Sequence, residues 1–295
     1  MLSILIPIFN FDVRPLVNDL HSQCEKAGSA YEIVCFDDGS SSEFKQKNQE
    51  VGNLTNVLYQ EMPQNLGRSA IRNALGRAAR FDYLLFMDCD SRVVSPDFIH
   101  NYLQHAAPER LVYGGRSYAD LPPTDPALYF HWHYGRQREQ RTAAERSRSP
   151  YHSFMTNNFL IPKQLFLDIL FDETLRQYGH EDTLFGMELA RRQVPIVHID
   201  NPLEHIGLES VDVFLRKTEQ GIENLVRLRN QGKNVETKLL STYDLCEKWG
   251  LTATIAYIFN KIKRLVVNHL RSKSPSLKWF DFYKLGTLAT FLNTK

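Results

Sequence analysis

Over the first hundred residues, continuous apolar runs alternate with amphipathic ones. "LSILIPIF", residues 2–9, reads as a continuous apolar run broken only by Ser3, the pattern of a strand buried on both faces. Asn10 to about Ala27 reads as a helix with Leu16, Val17 and Leu20 on one side. "YEIVCFDDGSS" predicts a second buried strand, Ile33 to Phe36, that runs into Asp37, Asp38, Gly39 and Ser40. "NVLYQEM" predicts a third and weaker strand, and "NLGRSAIRNALGRAAR" a helix packing through Ala70, Ile71, Ala74, Leu75 and Ala78. The apolar run from Tyr83 to Met87 then drives into Asp88, Cys89 and Asp90. This succession predicts an α/β fold with a mostly parallel, Rossmann-like sheet flanked by helices. Ligands of such sheets bind at the carboxyl ends of the strands, where Asp37, Asp38, Asp88 and Asp90 all fall.

The remaining pattern is less regular. "LVYGGRSY" suits a strand with a glycine turn, and "NNFLIPKQLFLDIL" a strand followed by a helix. "GHEDTLFGMELARR" reads as a helix with Glu181 and Asp182 in its first turn, where the helix dipole favours acidic residues. The Arg/Glu-rich stretch from Arg136 to Arg148 reads as a solvated helix or loop rather than an anion site. From about Ser210 the chain turns helical. Its last stretch, Leu251 to Lys295, carries eight Lys and Arg (Lys261, Lys263, Arg264, Arg271, Lys273, Lys278, Lys284, Lys295) against one acid, Asp281. With Ile255, Ile258, Phe259, Ile262, Leu265 and Val266 at helical spacing, it suits a basic amphipathic tail for a membrane surface or protein partner. A helix pair packed on the main domain fits the same pattern.

Composition narrows the class. Of 295 residues, 43% are apolar and 23% charged, ordinary for a globular chain, and the formal charge of +1 argues against a nucleic-acid binder. Cys24, Cys35, Cys89 and Cys246 are scattered without metal-ligand spacing, which suits a reducing compartment. No apolar run approaches the ~20 residues that cross a bilayer, and the first strand starts at residue 2 with no leader before it. The expected location is therefore cytoplasmic.

The strand-end carboxylates carry the candidate chemistry. In an extended strand Asp88 and Asp90 point the same way, with Cys89 turned inward as inert packing. Two unpaired carboxylates at one spot repel unless a cation lies between them. A hard divalent ion such as Mg²⁺ or Mn²⁺ removes that conflict and uses phosphate oxygens for its other ligands. The "DDGSS" turn suits either a base or ribose contact or a plain turn and helix cap. His131 and His133 in "YFHWHYG" have metal-ligand spacing for a strand, but with no third ligand nearby a loop or cleft wall is favoured. Trp132 between them suits sugar stacking or core.

"ILIPIFN", "FDDGSS", "NLGRSAIRNALGRAA", "LLFMDCDS", "NNFLIPK", "GHEDTLFGMEL" and "NPLEHIGLES" stand in an order and spacing that resembles the family 2 glycosyltransferases. These are inverting enzymes of the GT-A fold. The resemblance covers about residues 1–215 and implies a catalytic domain there, with a helical extension over 216–295. It implies that Asp37 and Asp38 contact the base and ribose of a nucleotide-sugar donor, and that Pro7 and Phe9 wall the site. Arg72 would line it. Asp90, with Asp88 and His205, would meet the metal and the donor's ribose or diphosphate. Asp182 would be the general base and Glu181 would orient it or the acceptor, with the helix N-terminus favouring the ionised form of Asp182. The implied donor base is uracil, and the implied acceptor a polysaccharide or glycolipid; the basic tail, for its part, suggests work at the cytoplasmic face of a membrane. A sugar-phosphate nucleotidyltransferase is the competing enzyme class, but "IPIFNFDVRP" lacks the glycine-rich loop expected there. A non-catalytic nucleotide-sugar-binding module is the third reading.

Overall fold

A computed structural model describes residues 1–175, 178–233 and 235–293. Lys295, one of the basic tail residues, lies outside them. By residue contacts the chain divides into two compact units. The first is built from Met1–Ala119, a segment beginning at Arg138, and Glu181–Gly207; the second chiefly from Asp120–Gln137 and the chain from Leu208 onward.

The first unit is the α/β body expected from the apolar runs. Its seven-stranded sheet has the order β3-β2-β1-β4-β8-β6-β9. The strands are β1 (Leu2–Ile8), β2 (Tyr31–Asp37), β3 (Val57–Glu61), β4 (Tyr83–Met87), β6 (Leu111–Tyr113), β8 (Asn158–Pro162) and β9 (Ile196–His198). Only β8 runs against its neighbours β4 and β6, so the sheet is mostly parallel. Every residue of β2 is buried, as are all but Pro7 in β1, because helices cover both faces. On one face the helix Arg14–Ala27 buries Leu16, Val17, Leu20 and Cys24. It starts later than the pattern alone suggests, since Pro15 sits in its first turn, where a missing N–H costs nothing. On the other face the helix Arg68–Ala78 buries Ile71 and Leu75.

A second, three-stranded sheet joins β5 (Ser91–Val93), β10 (Leu203–His205) and β7 (Arg116–Ser117) in the order β5-β10-β7. It holds the end of the β4 segment beside His205, pairing Ser91 with His205. The "GG" pair turns the chain between β6 and β7, and Gly115 adopts φ +92°, which a side chain would strain.

Two readings of the middle segment need correction. Arg146, in the stretch expected to be solvated, is buried and donates to the carbonyls of Ile199 (2.6 Å) and Gly114 (3.3 Å). Its guanidinium fills the space that a Cβ on Gly115 would occupy. His131 and His133 lie on a helix, Tyr129–Tyr134, not in a loop. Positions two apart on a helix face away from each other, so this pair cannot share a metal. His131 is instead buried, its Nδ1 accepting the Glu209 N–H at 3.0 Å.

The second unit is helical: Val211–Asn230, Lys238–Lys248, Thr252–Leu270 and Leu277–Asn293, with Tyr129–Tyr134. Its core gathers Phe130, Val211, Leu215, Phe259, Val266, Leu270, Phe280 and Tyr283. A Cβ on Gly286 would overlap the Phe259 ring, so the last two helices approach closely at that point.

Candidate active site

β2, β1 and β4 are adjacent in the sheet, so their carboxyl ends bring Asp37 and Asp38, Pro7 and Phe9, and Asp88 and Asp90 to one edge. Phe9, just past β1, is 53% exposed and presents an open aromatic face there. Asp37 turns inward: its Oδ1 accepts the Ser40 N–H at 2.7 Å, its Oδ2 the Tyr59 hydroxyl at 3.2 Å, and no part of it reaches solvent. Asp38 clamps the loop before the next helix. Its two oxygens accept the N–H groups of Leu66 (2.6 Å) and Gly67 (3.1 Å), and Asn65 donates to its carbonyl at 2.8 Å. Burial raises the Asp38 carboxyl above its usual range, against the pull of those two N–H groups.

The carboxylates after β4 part company. The strand ends at Met87 and the chain enters a turn, so Asp88 and Asp90 do not share a strand face. Asp88 goes to a set of arginines: Arg72 at 2.5 Å, Arg116 at 3.3 Å and Arg68 at 3.8 Å. Asp90 goes to His205, with 3.5 Å between its Oδ1 and the ring Nδ1. Burial acts to raise Asp90, but the His205 ring and the charges of Arg116 and Arg68 outweigh it and hold the carboxyl below its usual range. A Cβ on Gly207 would come within 2.5 Å of Asp90 Oδ2, so this glycine makes the room the carboxylate occupies. Cys89 is inert as expected, its thiol pushed up by burial to about 12.

Arg72 is itself buried, with 2% exposure, and is committed to Asp88 and to the Arg68 carbonyl at 3.3 Å. It underlies the site rather than lining it. The cation nearer solvent is Arg68, which bridges Asp88 and Glu181, donating to Glu181 Oε1 at 2.7 Å. Arg116 extends the chain of charges to Glu139 at 3.1 Å, and Glu139 accepts the Tyr118 hydroxyl. Tyr118 in turn lies edge-on to the His205 ring, centroids 5.6 Å apart. Sequence reasoning missed Arg68, Arg116, Tyr118 and Glu139. Arg68 alone carries a local signal, its place in the first turn of a helix that follows Gly67.

Glu181 and Asp182 open the helix Glu181–Arg191 as predicted, but not with the predicted electrostatics. Burial and the neighbouring Glu181 charge raise Asp182 to about 6, outweighing the Thr183 N–H that it accepts at 2.7 Å. Burial acts to raise Glu181 too, but Arg68 and Arg72 hold it below its usual range. The pair is therefore split into a fixed anion and a carboxylate that exchanges its proton near neutrality.

Asp90 and His205 fit a hard divalent cation. Asp90 Oδ1 is buried and accepts no hydrogen bond among the described residues, so its lone pairs remain available. Among those residues no three His, Cys, Asp or Glu side chains form a ready-made cage. Such an ion would take its other ligands from diphosphate and water, as Mg²⁺ and Mn²⁺ sites commonly do.

Comparison with known proteins agrees with the fold. The family model described as glycosyl transferase family 2 matches residues 3–166. A hyaluronan synthase of Pasteurella multocida is 25% identical over 225 residues, covering 64% of this chain and 23% of that protein. A chondroitin synthase of Escherichia coli is 25% identical over 271 residues, covering 81% of this chain and 38% of that protein. The chain thus spans well under half the length of either relative. Among solved structures, a mannosyltransferase of Pyrobaculum calidifontis in complex with GDP-mannose and Mn²⁺ superposes with a TM-score of 0.58 at 12% identity, covering 99% of this chain and 86% of that one.

Proposed function

The chain belongs to glycosyl transferase family 2, and on that premise we propose that it transfers a sugar, with inversion, from a UDP-sugar to a glycan or glycolipid acceptor, using Mn²⁺ or Mg²⁺. The observation that carries this reading is the buried Asp90 Oδ1, 3.5 Å from His205 and without a hydrogen bond, at the same sheet edge as Phe9 and Asp38. Asp90 and His205 would hold the cation, which when bound supplies positive charge to a departing diphosphate. Phe9 offers its ring to the base, and the loop clamped by Asp38 shapes the rest of the nucleotide pocket. Arg68 adds a partly exposed positive charge between Asp88 and Glu181.

Inversion needs one base to take the acceptor hydroxyl's proton as that oxygen attacks the anomeric carbon. Asp182 suits this role. At about 6 its affinity for a proton is matched to neutral conditions, while it remains mostly ionised at pH 7. Glu181, pinned by Arg68, keeps a fixed negative charge beside it. The acidic-glycan names of the two relatives support a polysaccharide acceptor, and the basic C-terminal helices support work at the cytoplasmic face of a membrane.

Calorimetric titration with UDP tests the donor site, in Mn²⁺, in EDTA and with Asp90→Ala, with GDP as the competitor. Binding of UDP that needs both metal and Asp90 is expected. Equal binding in EDTA, or preference for GDP, would overturn the metal or the uracil assignment respectively.

A further inference from the structure

The helix Thr252–Leu270 buries Ala256, Phe259, Val266 and Leu270 within the second unit. Its other side is unlike an ordinary solvated face. Tyr257, Ile258, Lys261, Arg264 and Leu265 fall at i, i+1, i+4, i+7 and i+8, which places them on one stripe. Tyr257 is 66% exposed, Ile258 45% and Leu265 67%, and just before the helix Trp249 is 67% exposed. Four large apolar side chains in water along one short stretch of chain call for a partner.

The charges on the stripe say which kind. The helix contains no acidic residue. Lys263 points elsewhere and is neutralised by Glu219 at 2.7 Å. Lys261 and Arg264 are exposed and make no ion pair among the described residues, and Lys261 Nζ lies 5.7 Å from the Tyr257 ring centroid. Aromatic rings, aliphatic tips and unpaired cations alternating on one stripe match the boundary between lipid headgroups and acyl chains. A glycan would use the rings and the cations but leave Ile258 and Leu265 in water. A stripe of this kind on one side of a helix suits contact along a bilayer surface, and no helix among the described residues is long and apolar enough to cross one.

We propose that this stripe, Tyr257, Ile258, Lys261, Arg264 and Leu265, with the exposed Trp249 just before the helix, docks the protein on an anionic lipid bilayer. The proposal deepens the membrane element of the functional reading by assigning it to particular residues. The helix Thr252–Leu270 packs within the second unit through its opposite side, so a single helix serves both the internal packing and the proposed contact.

Flotation of the full chain with vesicles of phosphatidylcholine and phosphatidylserine, or of phosphatidylcholine alone, tests it. Binding is expected only with phosphatidylserine, weakened by added salt. Lys261→Glu with Arg264→Glu should lower the partition coefficient about tenfold or more, and Trp249→Ser with Leu265→Ser should lower it comparably. Absence of flotation, or flotation that neither double variant weakens, would overturn the proposal. So would self-association in sedimentation that Leu265→Ser abolishes while vesicles are ignored, since the stripe would then be a contact between copies. UDP titration of the same variants reads the donor site separately. A failed flotation therefore leaves the transferase reading standing, and failed nucleotide binding leaves the membrane contact standing.

Discussion

Asp182→Asn separates the cost of the proposed base from its use. Burial beside Glu181 holds Asp182 at about 6, against 3.8 for an unperturbed aspartate. A gap of roughly two pH units corresponds to about 3 kcal/mol of penalty on the ionised form. The side chain is partly open to solvent, and screening reduces this to about 1–2 kcal/mol. The direction follows from the raised value. Below about pH 4 the group is neutral in both folded and unfolded chains and costs nothing; the penalty grows between about 4 and 6 and is complete above 6. Asparagine is neutral throughout and keeps an oxygen for the Thr183 N–H. The variant should therefore melt about 2–5 °C above wild type at pH 7.5, and the difference should vanish near pH 4. Transfer should fall by about 10²–10⁴, and the wild-type rate should decline on the acid side with a midpoint near 6. Thermal melts from pH 4 to 8, run beside a radiolabelled transfer assay, measure both. A variant no more stable than wild type at pH 7.5 would refute the assignment of a carboxylate whose ionised form is penalised in the fold, even if activity were lost.

Gly207→Ala should displace Asp90, since the new Cβ would lie 2.5 Å from its Oδ2; metal-dependent UDP binding should weaken at least about tenfold in calorimetry, with the melting temperature little changed. Arg116→Met strips a cation from Asp88 and Glu139, and urea unfolding should show a loss of about 2–4 kcal/mol. Asp88→Asn leaves Arg68 and Arg72 less neutralised beside Glu181 and Asp182, so the acid limb of the pH–rate profile should move down by about half a unit; an unmoved limb would count against electrostatic coupling between Asp88 and the base.

The parts of this fold that could be read from sequence are those set by local pattern. β1, β2 and β4 are buried on both faces and so read as predominantly apolar runs, and the acids at the ends of β2 and β4 mark the sheet edge where they finish. The helix at Glu181 was equally legible from its acidic first turn. Side-chain direction past the strand end was not. Extrapolating the strand's alternation through Cys89 put Asp88 and Asp90 on one spot, whereas the turn there sends them to different partners. Arg116 was invisible for a related reason: its partners Asp88 and Glu139 are 28 and 23 residues away, and only the fold brings the three together. Arg146 misled because a charged stretch usually faces water, and nothing in its neighbours announces the carbonyls of Gly114 and Ile199 that it satisfies.

The two carboxylates after β4 meet the problem of adjacent negative charge in two ways. Asp88 is neutralised by the protein's own arginines, and through Arg68 it is tied to Glu181. Asp90 faces His205 through Oδ1, which accepts no hydrogen bond among the described residues, and although His205, Arg116 and Arg68 favour its ionised form, that oxygen can also take a cation from outside the chain. That asymmetry has a chemical consequence. Were Asp88 also open to a cation, Arg72 would lose the carboxylate it donates to and Arg68 would keep only Glu181, so the two charges that hold Glu181 below its usual range would be fixed less firmly. Glu181's charge is one of the two main causes that lift Asp182 to about 6. The arginine set around Asp88 therefore links the sheet edge that carries Asp88 and Asp90 to the helix that opens with Glu181 and Asp182. Asp88 arranges the arginine charges around it, while Asp90 keeps a buried oxygen that accepts no hydrogen bond among the described residues.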